Sequence, residues 1–346
     1  MITQMTVKRF KSHKDVALTG LKRINLLLGK NNAGKSSLLE ALFYALTPDN
    51  PKAGFELLNE ARGILPNDYV WISVFHHLAA QQPVEISLAN QQTSTTLRIL
   101  PLLGNKVAQD VSGAISGGLG KSDPDGLRFE YASGTSQTAQ NVTAQQGRGE
   151  RSRNQNYIDN LPVIFVPARA HFDSLAAARR FSALKAKQCH QMVVEAIKTL
   201  DDRLTGVEVL ATKAGVELFG NIGEPQMVPL SWMGEGMLRI LSLASAVASV
   251  QGGVVLVDEI ENGIHYSVMP AVWATLMRIA EELNVQVFAV THNDEMIRAV
   301  LSASASLKMQ DNLRAYRCDL VNGATQITDY DATLLLAAVE SEQEVR

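Results

Sequence analysis

The spacing of apolar and polar residues changes character along this chain. Residues 1–28 begin with alternating apolar and polar positions, which predicts a hairpin. The apolar run Ile24–Leu28 predicts a buried strand, and residues 36–42 have the spacing of a helix. A glycine-containing turn separates the two. The prolines within 47–51 predict the end of that helix.

The middle of the chain is less regular. Residues 56–62 predict a short helix, and residues 69–75 fit a helix or a strand equally well. Residues 84–88 and 95–100 alternate like the two strands of a hairpin. The segment 104–157 is rich in Gly, Ser, Gln, Asn and Thr and poor in apolar residues, which predicts an exposed and partly disordered insertion.

Beyond residue 161 helices and strands alternate. An apolar strand at 163–167 precedes one long helix, from a cap at Asp173 or Ser174 to about Leu204, and a hairpin at 207–219. The remaining pattern is typical of a parallel α/β sheet, with helices at 236–250, 268–283, 294–302 and from 331, and strands at 254–257, 285–290 and 313–320. We find no heptad run long enough for a coiled-coil arm.

Composition narrows the class of protein. The 346 residues are 46% hydrophobic and 19% charged, which suits one large α/β domain or two ordinary ones. Neither a signal peptide nor an apolar run of about 18 residues is present, so we expect a cytoplasmic protein without a membrane anchor. The net charge of −3 carries no overall signature of nucleic-acid binding. Two groups of cations could contact DNA, although such groups more often form a solvated surface. The first group is Lys8, Arg9, Lys11, Lys14, Lys22 and Arg23, and the second is Arg148, Arg151 and Arg153.

The glycine turn carries the most specific motif. Residues 29–36 have the spacing G-x-x-x-x-G-K-[ST] between a strand and a helix, which is the context in which this motif binds nucleotide phosphates. Backbone N–H groups would hold the phosphates of ATP or GTP, Lys35 would reach the β- and γ-phosphates, and the Ser36 hydroxyl would ligate Mg²⁺. The predicted nucleotide site comprises Gly29, Asn31, Asn32, Ala33, Gly34, Lys35, Ser36 and Ser37.

Two later strands each end in polar residues. Asp258 and Glu259 follow the strand 254–257, where ligands of open α/β sheets gather. We predict that Asp258 holds Mg²⁺ through a water molecule and that Glu259 orients or deprotonates the attacking water; simple helix capping is the alternative. His292 follows the next strand and is predicted to sense the γ-phosphate through a hydrogen bond, with a purely structural histidine as the alternative.

A second glycine-rich helix start precedes the acidic strand. Ser231, Gly234 and Gly236 lie immediately before or within the start of a predicted helix, a position suited to binding phosphate. Since the chain already has a phosphate loop, we predict that this second one serves the nucleotide of a neighbouring subunit. A turn with a helix cap is the alternative.

The order of these motifs resembles that of a known family. The phosphate loop, the S-x-x-G-E-G signature at 231–236, the acidic stretch 258–265 and the Thr-His-Asn at 291–293 are similar to those of ABC-type ATPase heads of the SMC/RecF/OLD group. Within it, the chain most resembles AAA-type ATPases of OLD-like and bacterial antiphage-defence operons, over residues 1–75 and 160–340. The resemblance implies a single P-loop α/β head over 1–346, with a β-rich N-terminal part, a helical lobe and no long coiled coil. Its predicted parts are 1–75 with the phosphate loop, 76–160 with a hairpin and the insertion, 161–235 with the helical lobe and signature, and 236–346 with the acidic pair and histidine.

The resemblance also implies an assembly. Two heads would sandwich two ATP molecules, with Ser231, Gly234 and Gly236 of one head facing the γ-phosphate held by the other, so a homodimer or a higher even oligomer is expected. The loop 261–265 would communicate between the heads. The signature departs from the transporter Leu-Ser-Gly-Gly-Gln, and Gln81, Gln82 and Arg62 are only weak candidates for further nucleotide contacts. About 50 residues follow His292, too few for the nuclease domain that OLD proteins append, so we expect any nuclease to be a separate chain.

Several functions remain compatible with these motifs. The leading one is an ATP-hydrolysing switch or sensor in antiphage defence that works with a separate effector, a nuclease or a toxin. A scaffold that barely hydrolyses ATP and releases such an effector is a variant of it. A DNA-repair ATPase of the RecF type is the main alternative, and an ATPase subunit of a transporter is disfavoured by the altered signature and the polar insertion.

Overall fold

The computed structural model describes residues 1–64, 71–103, 106–107, 124–143, 161–168, 174–213 and 215–345. The chain forms two compact units. The first unit comprises Met1–Leu21, Gly29–Leu161 and Tyr316–Asp329, and the second comprises Lys22–Leu28, Pro162–Ala315 and Tyr330–Arg346.

Strands and helices are numbered here in chain order. The strands are β1 (Gln4–Phe10), β2 (His13–Thr19), β3 (Ile24–Leu28), β4 (Val84–Ala89), β5 (Ser94–Leu103), β6 (Lys106–Val107), β7 (Gly126–Ser133), β8 (Ser136–Thr143), β9 (Val163–Val166), β10 (Gly206–Thr212), β11 (Gly215–Asn221), β12 (Val228–Pro229), β13 (Val254–Val257), β14 (Gln286–Val290), β15 (Leu313–Val321) and β16 (Ala324–Asp331). The α-helices are α1 (Lys35–Leu46), α2 (Pro51–Ala61), α3 (Ser174–Ala186), α4 (His190–Lys198), α5 (Glu235–Ser249), α6 (Met269–Glu282), α7 (Asp294–Leu307) and α8 (Ala332–Glu340). Short 3-10 helices lie at Trp71–Val74, His76–Leu78, Leu230–Met233, Tyr266–Val268 and Gln310–Asn312.

The first unit is built on an antiparallel sheet with the strand order β2-β1-β4-β5-β7-β8, in which β6 also pairs with β5. Alternate residues of its strands are buried, as expected for a sheet with one covered face. Helix α1 contacts β1, β4 and β5 with a largely apolar surface. The Tyr131 hydroxyl of β7 donates a hydrogen bond of 2.9 Å to the Tyr44 carbonyl of α1, which fixes the helix on the sheet.

Opposite charges alternate across five strands of this sheet. Asp15, Lys8, Glu85, Arg98 and Glu130 are successive cross-strand neighbours on β2, β1, β4, β5 and β7. Arg98 lies 3.3 Å from Glu130 and 3.9 Å from Glu85, and Lys8 lies 4.0 Å from Asp15. Each neighbouring pair of these five residues is favourable, because opposite charges directly across two strands attract.

The second unit contains a six-stranded sheet with the order β16-β15-β3-β14-β13-β9, of which residues 316–321 of β15 and 324–329 of β16 are counted with the first unit. Strands β3, β14, β13 and β9 are parallel. All residues of β3, β13 and β14 are buried, as is typical of central strands in parallel sheets. Helices α5, α6 and α7 complete the core, in which Ile240, Trp273 and Ile297 are fully buried.

A smaller three-stranded sheet, β10-β11-β12, packs against α3 within the second unit. The sequence predicts one helix from about residue 174 to Leu204, and this prediction is wrong. Helices α3 and α4 are separate, because Gln188 between them adopts a left-handed φ of 60°, which ends a helix. The alternative cap Asp173 lies outside the described residues.

The exposed insertion predicted over 104–157 is also wrong in part. Residues 126–143 form the hairpin of β7 and β8, and Leu127, Phe129 and Tyr131 are buried. Their alternation with Arg128 and Glu130 is a strand pattern, but the polar residues on both sides lower the apolar content of the whole segment. Three further stretches of the predicted insertion lie outside the described residues: 104–105, 108–123 and 144–157. Between the first two, Lys106–Val107 form the two-residue strand β6.

Smaller differences follow from local chemistry. The helix predicted at 56–62 begins earlier, at Pro51, because the Asn50 side chain accepts a hydrogen bond of 3.0 Å from Ala53 N and caps it. Residues 71–74 form a 3-10 helix, and residues 65–70 lie outside the described part. Strand β16 was not predicted, because it is largely polar. In the described ranges the longest helix, α5, has 15 residues, and none is long and apolar enough to span a bilayer.

Candidate functional site

The phosphate loop requires glycine at both of its motif positions. Gly29 has φ 130°, and a Cβ there would collide with the carbonyl oxygen of Cys318 on β15. Gly34 has φ 94°, and its Cβ would lie 2.5 Å from His13 Cε1 and 2.6 Å from Ser12 Oγ. Any side chain at either position would be strained by the backbone and would also collide with a neighbour.

The loop brings its lysine back onto its own carbonyl groups. The buried Lys35 donates hydrogen bonds to the carbonyl oxygens of Gly29, at 2.7 Å, and Lys30, at 2.8 Å. Helix α1 begins at Lys35, and Gly34 before it has no side chain to cap the first N–H groups. The other predicted residues lie along the loop and first turn: Asn31 and Asn32 are exposed, Ala33 is buried, and Ser36 and Ser37 are half-buried.

Buried ionisable groups surround the start of α1. Burial lowers the pKa of His13 to about 4, and its Nε2 lies 3.1 Å from the Gly34 carbonyl oxygen. Burial likewise raises the pKa of Cys318 to about 12, although Lys35 acts in the opposite direction. Both groups therefore stay neutral at pH 7.

Glu40 of α1 is buried and forms ion pairs with Lys11 and Arg62. Burial lowers the pKa of Lys11, and the charge of Glu40 opposes that shift. Arg62, a weak candidate for contacting a phosphate, is thus bound to a carboxylate in this structure.

In the second unit three parallel strands end at one edge of the sheet. The register pairs Leu27 of β3 with Val290 of β14, and Ala289 of β14 with Val257 of β13. The residues that follow these strands in sequence are the phosphate loop, Thr291-His292 and Asp258-Glu259, respectively. The sequence analysis placed the acidic pair and His292 after successive strands, and the register shows that these two strands are parallel neighbours.

The acidic pair is held by its backbone. Arg239 of α5 donates to the carbonyl oxygens of Pro167, at 3.0 Å, Asp258, at 3.0 Å, and Glu259, at 2.9 Å. Burial lowers the pKa of Arg239, and the charges of Glu261, Asp258 and Glu259 oppose that shift. Glu259 has a left-handed φ of 45°, which is strained for a residue with a side chain, and Asn262 Nδ2 donates to its Oε2 over 2.8 Å.

His292 contacts a third carboxylate, that of Glu261. Glu261 is only 7% exposed, and its Oε1 accepts a hydrogen bond of 3.1 Å from the backbone N–H of His292. The same Oε1 lies 3.2 Å from His292 Nδ1. The following residue, Asn293, caps α7 by accepting a hydrogen bond of 2.7 Å from Glu295 N.

The signature forms an exposed helix start. Ser231 lies in a 3-10 helix, Gly234 has φ 100°, and α5 begins at Glu235 without a side-chain cap. A Cβ on Gly236 would lie 2.9 Å from the carbonyl oxygen of Gly263, so the signature packs against the loop 261–265. Ser231, Gly234 and Gly263 are exposed, and Trp232 is 79% exposed. We call Ser231, Trp232, Gly234, Gly236 and Gly263 the signature face.

Sequence reasoning missed the residues that support these sites. Arg239 is a single cation within an otherwise apolar helix, which is the only signal that could have singled it out. Asn262 was recognised only as part of the loop 261–265. Ser12, His13 and Cys318 are distant from the phosphate loop in sequence, so no local pattern predicts their contact with it.

The chain is similar to AAA-type P-loop ATPases and has the fold of an SMC head. Residues 4–168 match a family model described as "AAA domain". Residues 143–298 match one described as "AAA domain, putative AbiEii toxin, Type IV TA system".

Similar proteins agree with this class. The "ATP/GTP phosphatase" of Helicobacter pylori is 23% identical over 322 residues, which are 86% of this chain and 86% of that protein. The "DNA double-strand break repair Rad50 ATPase" of Archaeoglobus fulgidus is 43% identical over 51 residues, but these are 14% of this chain and only 6% of that protein.

Two solved structures share the fold. An SMC head bound to the C-winged helix domain of ScpA has a TM-score of 0.51 at 14% identity, covering 95% of this chain and 97% of that one. An Smc head domain with an extended coiled coil, bound to the C-terminal domain of ScpA from Pyrococcus furiosus, has a TM-score of 0.51 at 12% identity and covers 99% of both chains. The predicted P-loop α/β head is therefore confirmed.

Proposed function

We propose that this protein is an ATP-driven switch whose heads dimerise on ATP and separate after hydrolysis. Lys35 and the N–H groups at the start of α1 would bind the β- and γ-phosphates. The glycines of the loop fit this role, because a side chain at either position would strain the backbone and collide with a neighbour. The Ser36 hydroxyl and the Asp258 carboxylate are oxygen donors of the kind that Mg²⁺ prefers, and they are our candidates for its ligands.

Hydrolysis would depend on positioning and electrostatics. Glu259 would orient or deprotonate the attacking water, and His292 would donate a hydrogen bond to the γ-phosphate. Bound Mg²⁺ would neutralise charge that develops on the phosphate oxygens. The predicted roles of Lys35, Glu259 and His292 are all part of this proposal.

The signature face is the observation that carries dimerisation. It combines an uncapped helix start, exposed glycines and a large exposed aromatic side chain, Trp232. An uncapped helix start offers N–H groups to an anion, and exposed tryptophan is typical of residues that anchor protein interfaces. A second copy of the chain that carries ATP would supply both the anion for the helix start and a protein surface for Trp232.

The dimer can be tested with a trapping variant. Glu259→Gln keeps the size of the side chain but removes the base, so we expect ATP to bind without turnover and the dimer to accumulate. Size-exclusion chromatography with light scattering, with and without Mg²⁺·ATP, measures this. The matched control is Glu282→Gln, at an exposed residue of α6. Unchanged turnover in Glu259→Gln would refute the assignment of the base, and a monomer with ATP bound would refute the dimer.

For the biological role we propose antiphage defence with a separate effector, a nuclease or a toxin. The description of the family model that matches 143–298 names a toxin–antitoxin system, which supports an effector-linked role. Expression together with neighbouring genes, followed by phage challenge and by co-purification, tests this. Equal plaque numbers for the wild-type operon and one carrying Lys35→Ala would contradict it.

A DNA-repair ATPase is the second candidate, because residues of this chain match the Rad50 ATPase locally. The described cations offer it limited support. Lys8, Arg9, Lys11 and Arg23 are ion-paired with Asp15, Glu85, Glu40 and Glu281, respectively, and Arg148, Arg151 and Arg153 lie outside the described residues. Single-turnover ATP hydrolysis with and without double-stranded DNA separates the two roles, since a repair ATPase should be accelerated by DNA.

A further inference from the structure

Two adjacent residues contact the two side chains to which hydrolysis was assigned above. Glu261 Oε1 accepts a hydrogen bond from His292 N and lies 3.2 Å from His292 Nδ1. Asn262 Nδ2 donates to Glu259 Oε2 over 2.8 Å. Both belong to the loop 261–265, which also packs against the signature helix through Gly263 and Gly236.

We propose that Glu261 and Asn262 are positioning residues, which hold His292 and Glu259 in their working orientations and connect both to the loop 261–265. This inference rests on the proposed function, since it assumes that His292 and Glu259 act on ATP. It adds two residues and a route by which the loop governs both catalytic side chains.

The burial of Glu261 indicates a specific task. A carboxylate that is 7% exposed is costly unless its partners compensate for the lost water. Its Oε1 has partners in the backbone N–H and the ring of His292, whereas Oε2 has none among the described residues. A carboxylate oxygen only accepts hydrogen bonds, so contact with Nδ1 turns the imidazole ring with Nδ1 towards Glu261 and Nε2 away from it. Nε2 is then the ring atom that could face a phosphate, and it can donate a hydrogen bond there when both ring nitrogens carry a proton.

Asn262 holds Glu259 in a comparable way. Its Nδ2 donates both to Glu259 Oε2 and, over 3.1 Å, to the Ala168 carbonyl oxygen. The second bond fixes the amide while the first fixes the carboxylate. Glu259 also has a strained φ of 45°, and such a conformation persists only when several contacts enforce it. Arg239 supplies the other restraint by binding the Glu259 carbonyl oxygen.

Because residues 261 and 262 are adjacent, a displacement of their loop would disturb both catalytic side chains together. Packing of Gly236 against Gly263 makes the loop sensitive to the signature helix of the same chain. Hydrolysis would therefore proceed only when the loop has one particular position.

The test compares Glu261→Gln and Asn262→Ala with wild type in steady-state ATP hydrolysis. We expect kcat to fall roughly 10- to 100-fold in each, as is usual when the partner of a functional side chain is removed. KM and the affinity for a non-hydrolysable ATP analogue should change less than about twofold, since neither residue belongs to the phosphate loop. Glu282→Gln serves as the matched control and should leave kcat unchanged. If Glu261→Gln does not fold, as judged by circular dichroism, Glu261→Asp replaces it, because it keeps the charge and shortens the reach.

Double variants then identify the route. Glu261→Gln should cause no further loss in a His292→Ala background, and Asn262→Ala should cause none in a Glu259→Gln background, both measured by single-turnover hydrolysis. If these substitutions lower the hydrolysis rate in those backgrounds as much as they do in wild type, the positioning role is wrong. It is also wrong if the single variants keep the wild-type kcat. Neither result would affect the proposed function. A wild-type protein that does not hydrolyse ATP would instead overturn the proposed function, and this inference with it.

Discussion

Helices α1 and α5 both begin after a glycine with positive φ, but their surroundings differ. Gly34, at 94°, precedes α1, and Gly234, at 100°, precedes α5; neither helix has a side-chain cap. The side chains of Ser12 and His13 occupy the space that a Cβ on Gly34 would need, and Lys35 donates a hydrogen bond to the Gly29 carbonyl oxygen of the loop. Around Gly234, by contrast, no described atom beyond its own chain neighbours lies within 4 Å of the position a Cβ would take.

The difference separates a helix start that carries its own cation from one that does not, and we propose that the first is a complete anion site and the second an open one. The start of α1 has a cation, Lys35, in its own chain, whereas the first turn of α5 carries an acid, Glu235. An acid in the first turn already compensates the positive end of a helix. A phosphate near Gly234 must therefore arrive with its own cations, as ATP bound to another head would.

Removing the cation of the complete site should have the largest effect. We expect Lys35→Ala to lower kcat/KM for ATP roughly 10²- to 10³-fold, because charge on the phosphates loses a pre-positioned partner. Steady-state hydrolysis and calorimetric titration with ATP measure this. Lys30→Ala, at an exposed lysine in the same loop, should stay within about twofold. Equal losses in the two variants would contradict a special role for Lys35.

Lowering the pH should destabilise the folded chain through His13, which lies beside the start of α1. Burial lowers the pKa of His13 from 6.5 to about 4, so the folded chain keeps this histidine neutral while the unfolded chain takes up a proton. The stability that depends on this neutral histidine is fully present above pH 6.5. As the pH falls from 6.5 to about 4, the free energy of unfolding decreases by about 3 kcal/mol.

The measurement is urea denaturation of wild type and His13→Gln at several pH values. His13→Gln lacks the titrating group, so the unfolding free energy of wild type should fall relative to that of His13→Gln by about 3 kcal/mol from pH 7 to pH 4. Parallel curves over that range would refute the role of His13.

The two helix-start glycines can be compared directly. Gly34→Ala suffers both strain and collision, and we expect it to lower the free energy of unfolding by about 2–3 kcal/mol. Gly234→Ala has strain alone, so about 1 kcal/mol is expected. Thermal and urea denaturation measure both. Gly63→Ala, where φ is 73° and no atom is near, is the control for strain and should match Gly234→Ala.

The smallest effect on the folded monomer is expected at the open site. Trp232 is 79% exposed, so Trp232→Ala should change the unfolding free energy by less than about 0.5 kcal/mol. The same change should weaken the ATP-dependent dimer at least about tenfold, as loss of an interface tryptophan often does. Sedimentation of Glu259→Gln with and without Trp232→Ala measures this. An unchanged dimer would place the interface elsewhere.

Sequence patterns predicted the parts of this molecule that depend on local spacing. The strand Ile24–Leu28, the glycine turn, α1, and the strands before Asp258 and His292 follow from apolar runs and motif spacing, and the structure contains all of them. Helix α5 begins one residue before its predicted start.

The remaining features depend on contacts between distant residues. Leu127, Phe129 and Tyr131 are buried because their strand pairs with β5, and Phe129 and Tyr131 also contact Tyr44 of α1, while their sequence neighbours are polar. Glu261 was assigned to a loop, and only the fold brings it against His292. Likewise, motif spacing marks Gly29 and Gly34 as loop glycines, but only the fold brings Cys318 and His13 against them.

The contact between Gly29 and the Cys318 backbone has a consequence for synthesis. Residue 29 leaves the ribosome early in synthesis. Strand β15, whose Cys318 backbone packs against it, is made only after almost all of the described chain. Contacts this far apart in sequence form late and slow folding. A nascent chain should therefore carry the phosphate-loop motif for most of its synthesis without binding ATP, and nucleotide affinity should arise only once β15 has left the ribosome.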